Sequence, residues 1–317
     1  MTTPAWTRRA LLASGAAVLA GCAPTDPVIR PTGTVPPARL PQLDPVQAAA
    51  LASETELVRL WQAIAAAAPG WPEAARLEPV AASKVKAHSG HVARLRGLDV
   101  LLPDDEPFHP EPSTPAATVS GWADARSQVE ALQASVAAEH RGAALASASS
   151  RPQLALFYGS LAACASASPD LALTGGASPR PFAVGTSEAV HAVLITRVWA
   201  LVYALETGIG RLSRDAQLRP EGLARLAEVK LLRDELLARP ELAAPPRQRS
   251  DYDLGGPLGT EQEVLSCWSR AELALMGAWG RLAAASPDNA EPLDAMLSQV
   301  RQAERWGRGL PAWPGWA

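Results

Sequence analysis

Two histidines and three glutamates in the first half of the chain have the types and spacing that could bind a metal ion. His88 and His91 lie three positions apart, so one turn of a helix would place both imidazoles on the same face. Glu54 and Glu56 precede them, and Glu139 follows. Imidazole and carboxylate donors together suit iron, zinc or manganese. The sequence therefore offers a candidate metal site with one of these three ions as its cofactor.

The same residues also have a purely structural interpretation. Histidines on an apolar helix face commonly pack and form hydrogen bonds without a metal. A two-metal site of the ferritin type needs Glu-x-x-His on each of two helices. One Glu-x-x-His match, from Glu188 to His191, lies at the start of its predicted helix rather than at its centre. The second match, from Glu106 to His109, lies among prolines that prevent a helix. Our preferred interpretation therefore has no bound cofactor, and the metal site is the alternative.

Cys164 and Cys267 lie in opposite halves of the chain. In an oxidising compartment a disulfide between them would join the two halves. The alternative is a pair of buried free thiols, which is a common environment for cysteine. The distance between them in space does not follow from the sequence, so both alternatives stay open.

No set of residues predicts a catalytic centre. The sequence has no serine in a nucleophile elbow, and no Ser, His and Asp set stands out as a triad. Gly208 and Gly210 form a lone glycine pair without a preceding strand, which is explained by helix packing rather than nucleotide binding. The sequence therefore favours a protein that is not an enzyme.

The N-terminus has the pattern of an export signal. Arg8 and Arg9 precede a short apolar stretch over residues 10–20, and Leu-Ala-Gly comes directly before Cys22. Positive charge followed by a short apolar run predicts a signal peptide, here residues 1–21. The Leu-Ala-Gly-Cys order resembles a lipobox, in which the cysteine receives a diacylglyceryl group. The arginine pair also resembles a twin-arginine (Tat) signal, while consecutive arginines occur in ordinary signal peptides too.

These features predict a lipoprotein anchored at the extracytoplasmic face of the cell membrane. Two acyl chains suffice for stable anchoring, so the first expected partner is the lipid bilayer, through acylated Cys22. An ordinary secreted protein is the alternative. An envelope protein is a second expected partner. We expect no nucleic-acid partner, because the 29 Lys and Arg are balanced by 32 Asp and Glu and form no basic stripe.

Alanine and leucine are abundant and β-branched runs are scarce, so the prediction is an all-α fold. Repeated prolines over residues 22–45 favour an extended tether. Breaks at Pro and Gly then separate two groups of four helices, which predicts two ferritin-like up-and-down four-helix bundles or one eight-helix body made from them. The predicted helices are 46–68, 73–98, 118–148 and 151–168 in a bundle spanning 46–178, then 185–213, 219–238, 260–285 and 288–308 in a bundle spanning 184–309.

Two further segments carry specific predictions. Residues 189–203 are apolar on nearly every face, which predicts a central buried helix. The tail, residues 310–317, contains Trp313 and Trp316 among Pro and Gly. We expect it to fold back over the end of the helical body, with contact to lipid headgroups or a partner as the alternative.

Most of the chain after Cys22 resembles a family of lipoproteins from high-GC bacteria that carry a ferritin-like domain of unknown function. The resemblance implies a ferritin-like fold and does not supply an activity. It rests on the Leu-Ala-Gly-Cys start and on three segments: Lys-Ala-His-Ser-Gly-His-Val-Ala-Arg-Leu at 86–95, Ala-Leu-Val-Tyr-Ala-Leu at 200–205 with Arg-Leu at 211–212, and Val-Arg-Gln-Ala-Glu-Arg-Trp-Gly at 300–307.

One departure from this family bears on function. Its members tend to carry an adjacent Glu-His pair one turn before the tyrosine that corresponds to Tyr203, and Val198 and Trp199 stand there instead. The second bundle therefore lacks that polar centre. The preferred function is a non-catalytic binding or scaffolding role in the envelope. The alternatives are a metal-binding or redox protein that uses the His/Glu cluster, and a carrier of an apolar ligand.

Overall fold

The computed structural model describes residues 42–102, 109, 117–240, 245–307 and 309–316. Arg8, Arg9 and Cys22, on which the export and lipidation predictions rest, lie outside the described residues, as does most of the predicted tether. Residues Gln42–Ala317 form one compact unit. Its described part is all-α, as predicted, with helices α1 (Pro45–Ala67), α2 (Ala74–Leu95), α3 (Trp122–Ala148), α4 (Gln153–Ala165), α5 (Ser187–Arg211), α6 (Leu218–Leu237), α7 (Glu261–Ala285) and α8 (Glu291–Glu304).

The helix ends follow local capping chemistry. Asp44 accepts a hydrogen bond from the Val46 amide at 2.9 Å at the start of α1. The Thr186 hydroxyl accepts one from the Ala189 amide at the start of α5. Thr260 and Glu263 form a reciprocal capping box at the start of α7. Such caps satisfy amides that have no partner within the helix, which is why polar residues mark these boundaries.

Helix α4 connects the two groups of helices. Helix α1 packs against α2 and α3, and α3 packs against α4. In the second half α5 packs against α6 and α7, and α7 against α8, while α4 also contacts α7 and α8. Gly159 on α4 allows this approach, because a Cβ there would lie 2.9 Å from the Leu293 side chain. As a result, one core cluster contains residues from both halves, among them Phe157 and Trp268.

Helix α5 contains the predicted apolar segment and is largely buried in this body. Among the described residues it is the helix long and apolar enough to cross a membrane, but 56% of its most apolar 18-residue stretch is buried inside the protein. Gly208 on α5 lies against Trp268, whose indole N–H donates to the Ala204 carbonyl at 2.9 Å. The close contact explains the small residue at this point of the helix.

The C-terminal strap, residues 309–316, folds back over the helices, as predicted. Thr174 and Pro311 form an isolated parallel β-bridge that fastens the strap to the segment after α4. Trp313 and Trp316 are buried, and so is Trp306, which packs edge-on against Trp268. The strap therefore belongs to the core rather than to the surface.

Candidate metal centre

The carboxylate of Glu54 lies at the centre of a buried polar cluster. Its Oε2 accepts hydrogen bonds from Nδ1 of His88 at 2.8 Å and from Nδ1 of His91 at 2.9 Å. Its Oε1 accepts one from Nε2 of His140 at 2.9 Å. All four residues have 0% exposure. A buried carboxylate needs this number of donors because water does not solvate it.

Packing of the first four helices brings the residues together from separate elements. Glu54 lies on α1, His88 and His91 lie one turn apart on α2, and His140 lies on α3. Cys164 comes from α4 and is also fully buried. Each of the first four helices therefore contributes at least one polar side chain to the same region.

His88, His91 and Cys164 each offer a ligand atom, and these three atoms lie within 4.8 Å of one another. Bonds of about 2.0–2.3 Å in a tetrahedral zinc site would place such atoms about 3.3–3.8 Å apart. Shifts of about 1 Å would bring the three donors to that spacing. Among the described residues, these three form the group of His, Cys, Asp or Glu side chains whose ligand atoms lie close enough together to hold a metal ion.

The hydrogen bonds of His91 define its protonation. Nδ1 faces the Glu54 carboxylate, and Nε2 lies 2.7 Å from the Ala312 carbonyl of the strap. Both partners are acceptors, so both ring nitrogens donate and His91 is an imidazolium. Burial acts to lower the pKa of His91, but the neighbouring Glu54 and Cys164 hold it well above its ordinary value.

The pKa values of the other two groups fit this charge pair. Burial acts to raise the pKa of Glu54, but His91, His88 and His140 together hold it well below its ordinary value. Burial lowers the pKa of His88, and the attraction of Glu54 offsets only part of that effect. The cluster therefore contains one carboxylate and one imidazolium, with His88 neutral.

Two buried nitrogens in the cluster have no hydrogen-bond partner: Nε2 of His88 and Nδ1 of His140. A buried polar atom without a partner costs about 1–3 kcal/mol. In a neutral imidazole whose other nitrogen donates, this atom carries a lone pair and suits a metal ion. The donor set of imidazoles, thiol and carboxylate thus fits a transition metal, and one of the unpartnered nitrogens, Nε2 of His88, belongs to that set.

Lys84 lies one turn before His88 and is also fully buried. Its ammonium donates to the Ser168 carbonyl at 3.1 Å, and Glu304 accepts from the Ser168 amide at 2.8 Å. Burial lowers the pKa of Lys84, and Cys164, Glu304 and Asp170 offset part of that effect. A cation thus lies close to the candidate metal ligands.

The structure brings together three of the five residues proposed from the sequence as a metal site: Glu54, His88 and His91. Glu56 is exposed, because two positions along a helix turn a side chain to the opposite face. Glu139 is half-buried and accepts a hydrogen bond from Ser53 instead. These two glutamates are corrections to the predicted set.

Two members of the cluster were missed as ligands. His140 was not part of the predicted metal set, and Cys164 was expected to be either half of a disulfide or a buried free thiol. That disulfide does not form, because Cys164 and Cys267 are both buried free thiols. Cys164 faces the histidine cluster, whereas Cys267 lines a separate cavity beside Arg270. The helical position of His140 and the burial expected for cysteine were the available signals.

The second half contains a different buried polar group. Arg225 on α6 pairs with Glu272 on α7 at 2.8 Å, and Gln299 on α8 also donates to Glu272. These polar atoms satisfy one another, which is the arrangement expected of a structural ion pair. His191 bonds back to the Ser187 carbonyl at 2.9 Å, so the Glu-x-x-His match forms no cluster of its own.

Comparisons of the chain with protein-family models, with curated proteins and with solved structures found no match.

Proposed function

We propose that this protein binds one transition-metal ion within its first four helices, with His88, His91 and Cys164 as ligands and Glu54 beside them. The observation that carries the proposal is the group of three buried ligand atoms within 4.8 Å of one another. It supports the metal-binding alternative over the scaffolding role that the sequence favours. No observation favours the carrier of an apolar ligand, which stays an alternative.

A purely structural role explains the cluster less well. Structural polar groups in protein cores pair their atoms, as Arg225 and Glu272 do. Around Glu54, the proposed ligand His88 leaves Nε2 without a partner, and His140, which is outside the ligand set, leaves Nδ1 without one. To bind an ion, His91 would lose one of its two N–H protons together with the hydrogen bond that this proton makes, and Cys164 would lose its thiol proton. Nε2 of His88 already has no hydrogen-bond partner.

We propose zinc as the ion. Among iron, zinc and manganese, manganese prefers oxygen donors, and a thiolate beside two imidazoles is typical of zinc. Cys164 thus makes manganese the least suitable of the three. If metal analysis found iron instead of zinc, the identity of the ion would change but the proposed site would not.

The test is metal analysis of the full chain purified in detergent without added metal. We expect about one zinc per chain by elemental mass spectrometry. Replacement of the ion by Co²⁺ should give a thiolate-to-cobalt charge-transfer band that disappears in Cys164→Ser. Cys267→Ser is the matched control, because Cys267 is also a buried free thiol but lies in another environment.

Three results would contradict the proposal: no stoichiometric metal, no cobalt band, or a band that survives Cys164→Ser but not Cys267→Ser. A His88→Ala variant separates loss of the site from loss of the fold. It should lose the metal while keeping the helical circular dichroism of the parent protein.

We also propose that the first four helices form a ferritin-like bundle and that the protein is a lipoprotein held at the outer face of the cell membrane. The packing of α1 against α2 and α3, and of α3 against α4, supports the bundle. The Leu-Ala-Gly-Cys22 motif supports the anchor. Cys22→Ser should release the protein from the membrane fraction and block its processing; unchanged membrane association and processing would refute the anchor.

A further inference from the structure

The C-terminal strap covers the candidate metal centre. The Ala312 carbonyl accepts the hydrogen bond from Nε2 of His91 at 2.7 Å. The Trp313 ring lies 4.4 Å from the His91 ring and 5.6 Å from that of Phe157 on α4, centroid to centroid. A segment from the end of the chain therefore closes a site that the first four helices build.

Few backbone hydrogen bonds fasten the strap at this point. The Thr174 amide donates to the Leu310 carbonyl at 2.7 Å, and the Ala312 amide donates to the Thr174 carbonyl at 2.8 Å. Gly309 approaches the neighbouring chain so closely that a Cβ there would lie 1.8 Å from the Ala172 carbonyl oxygen. The strap backbone is thus held by a short bridge rather than by a helix or a sheet, so its opening breaks few backbone hydrogen bonds, although it exposes the buried rings of Trp313 and Trp316.

A cavity of about 420 Å³ lies against the strap. Ala312 and Trp313 line it together with α2 residues such as Ala87 and Gly90. The same two strap residues contact His91. In the closed form His88, His91 and Cys164 have 0% exposure. A metal ion therefore has no solvent path to these ligands unless a covering segment moves.

We propose that the strap is the gate of the metal centre and that ions pass from this cavity to the ligands when Ala312 and Trp313 move away from His91. This inference rests on the proposed function, because a gate to the ligands matters only if a metal ion binds there. Its physical content, however, is the accessibility of Cys164, which is measurable in the metal-free protein.

The experiment measures alkylation of Cys164 by iodoacetamide in the full chain, treated with a chelator, with peptide mass spectrometry as the readout. Gly309→Ala should push the strap off Ala172 without removing any core side chain. We expect alkylation of Cys164 to rise about tenfold, which corresponds to about 1.4 kcal/mol less free energy for opening. Alkylation of Cys267 should not change and serves as the internal control.

Gly210→Ala is the matched substitution, because a Cβ at Gly210 meets nothing within 4 Å. It should leave the alkylation of Cys164 unchanged. If Gly309→Ala does not fold, Trp313→Ala provides the second test, with Trp306→Ala as a control of equal size loss at a tryptophan that packs against Trp268 instead of His91.

An equal rise at Cys164 and Cys267 would indicate general loosening and overturn the gate. So would an equal effect of Trp313→Ala and Trp306→Ala, or no change at Cys164 in the strap variants. The two proposals fail separately. A protein without zinc can still show a gated Cys164, and a zinc protein whose Cys164 ignores the strap would refute only the gate.

Discussion

Replacement of Glu54 by leucine should be among the most damaging single changes in the first four helices. Glu54 accepts hydrogen bonds from three buried histidines, one of which is an imidazolium. Glu54→Leu introduces an apolar side chain of similar size and removes every hydrogen-bond acceptor. His91 must then either stay charged without its counter-ion or lose a proton, and His88 and His140 lose the partner of their donating nitrogens.

The size of the effect follows from this geometry. Removal of one partner from a buried ion pair costs about 3–5 kcal/mol. That is a large part of a total stability of about 5–15 kcal/mol. Glu54→Gln retains one acceptor oxygen and should cost less, about 1–3 kcal/mol. The difference between the two variants separates the loss of charge from the loss of all acceptors.

The assay is urea unfolding followed by tryptophan fluorescence, in the presence of a chelator so that metal affinity does not contribute. Glu56→Leu is the control, because Glu56 lies on the same helix but is exposed, and it should change the free energy of unfolding by at most about 0.5 kcal/mol. If Glu54→Leu matched Glu56→Leu, or raised the free energy of unfolding, the buried charge pair described here would be refuted.

Three further predictions concern pH, helix capping and packing. Because the pKa of His91 is raised in the folded protein, its contribution to stability is complete between about pH 4.3 and pH 6.5, the unfolded pKa values of Glu and His. That contribution is lost as the pH rises through the folded pKa of His91. Urea unfolding over a pH series should therefore show that the stability difference between the parent protein and His91→Gln shrinks above this range. Thr260→Ala removes a capping box and should cost about 1 kcal/mol in the same assay, against a negligible change for Ser266→Ala on the same helix. Gly208→Ala places a Cβ 2.4 Å from the Trp268 indole nitrogen and should cost about 1–3 kcal/mol, whereas Gly210→Ala should stabilise α5 by about 0.5–1 kcal/mol.

Each of these has an outcome that would contradict its reasoning. A difference between the parent protein and His91→Gln that grows with pH would mean that His91 is not the cation of the pair. Equal stability of Thr260→Ala and Ser266→Ala would remove the capping argument. If Gly208→Ala left the free energy of unfolding unchanged, Trp268 would be able to move aside at no cost.

The helix pattern followed from local chemistry, and the structure confirms it. Clusters of proline and glycine interrupt the helices, and hydroxyl or carboxylate side chains cap the first turn, so most breaks and starts follow from nearby residues. A single such residue does not end a helix by itself, because Pro79 lies inside α2 and Gly208 inside α5. The ends differ by a few residues where context decides. Helix α3, for example, begins at Trp122 rather than near residue 118, after an extended Gly121.

The composition of the site could be predicted only in part. His88 and His91 share a helix face at a spacing that any helix imposes, and Glu54 was a candidate partner. The choice between Glu54 and Glu56, and between Glu139 and His140, depended on which face of α1 and α3 turns inward. Glu139 and His140 differ by about 100° around the helix axis, and Glu54 and Glu56 by about 200°, so the orientation of each helix in the body decides which side chain is buried.

The sequence by itself determined that this chain builds helices, where they begin and end to within a few residues, and that two imidazoles stand one turn apart. Only the tertiary structure decided that Cys164 joins those imidazoles rather than Cys267, and that the strap lies over His91. The reason is physical: periodicity and capping act within a few residues, whereas contacts between distant segments depend on how whole helices rotate and pack against one another.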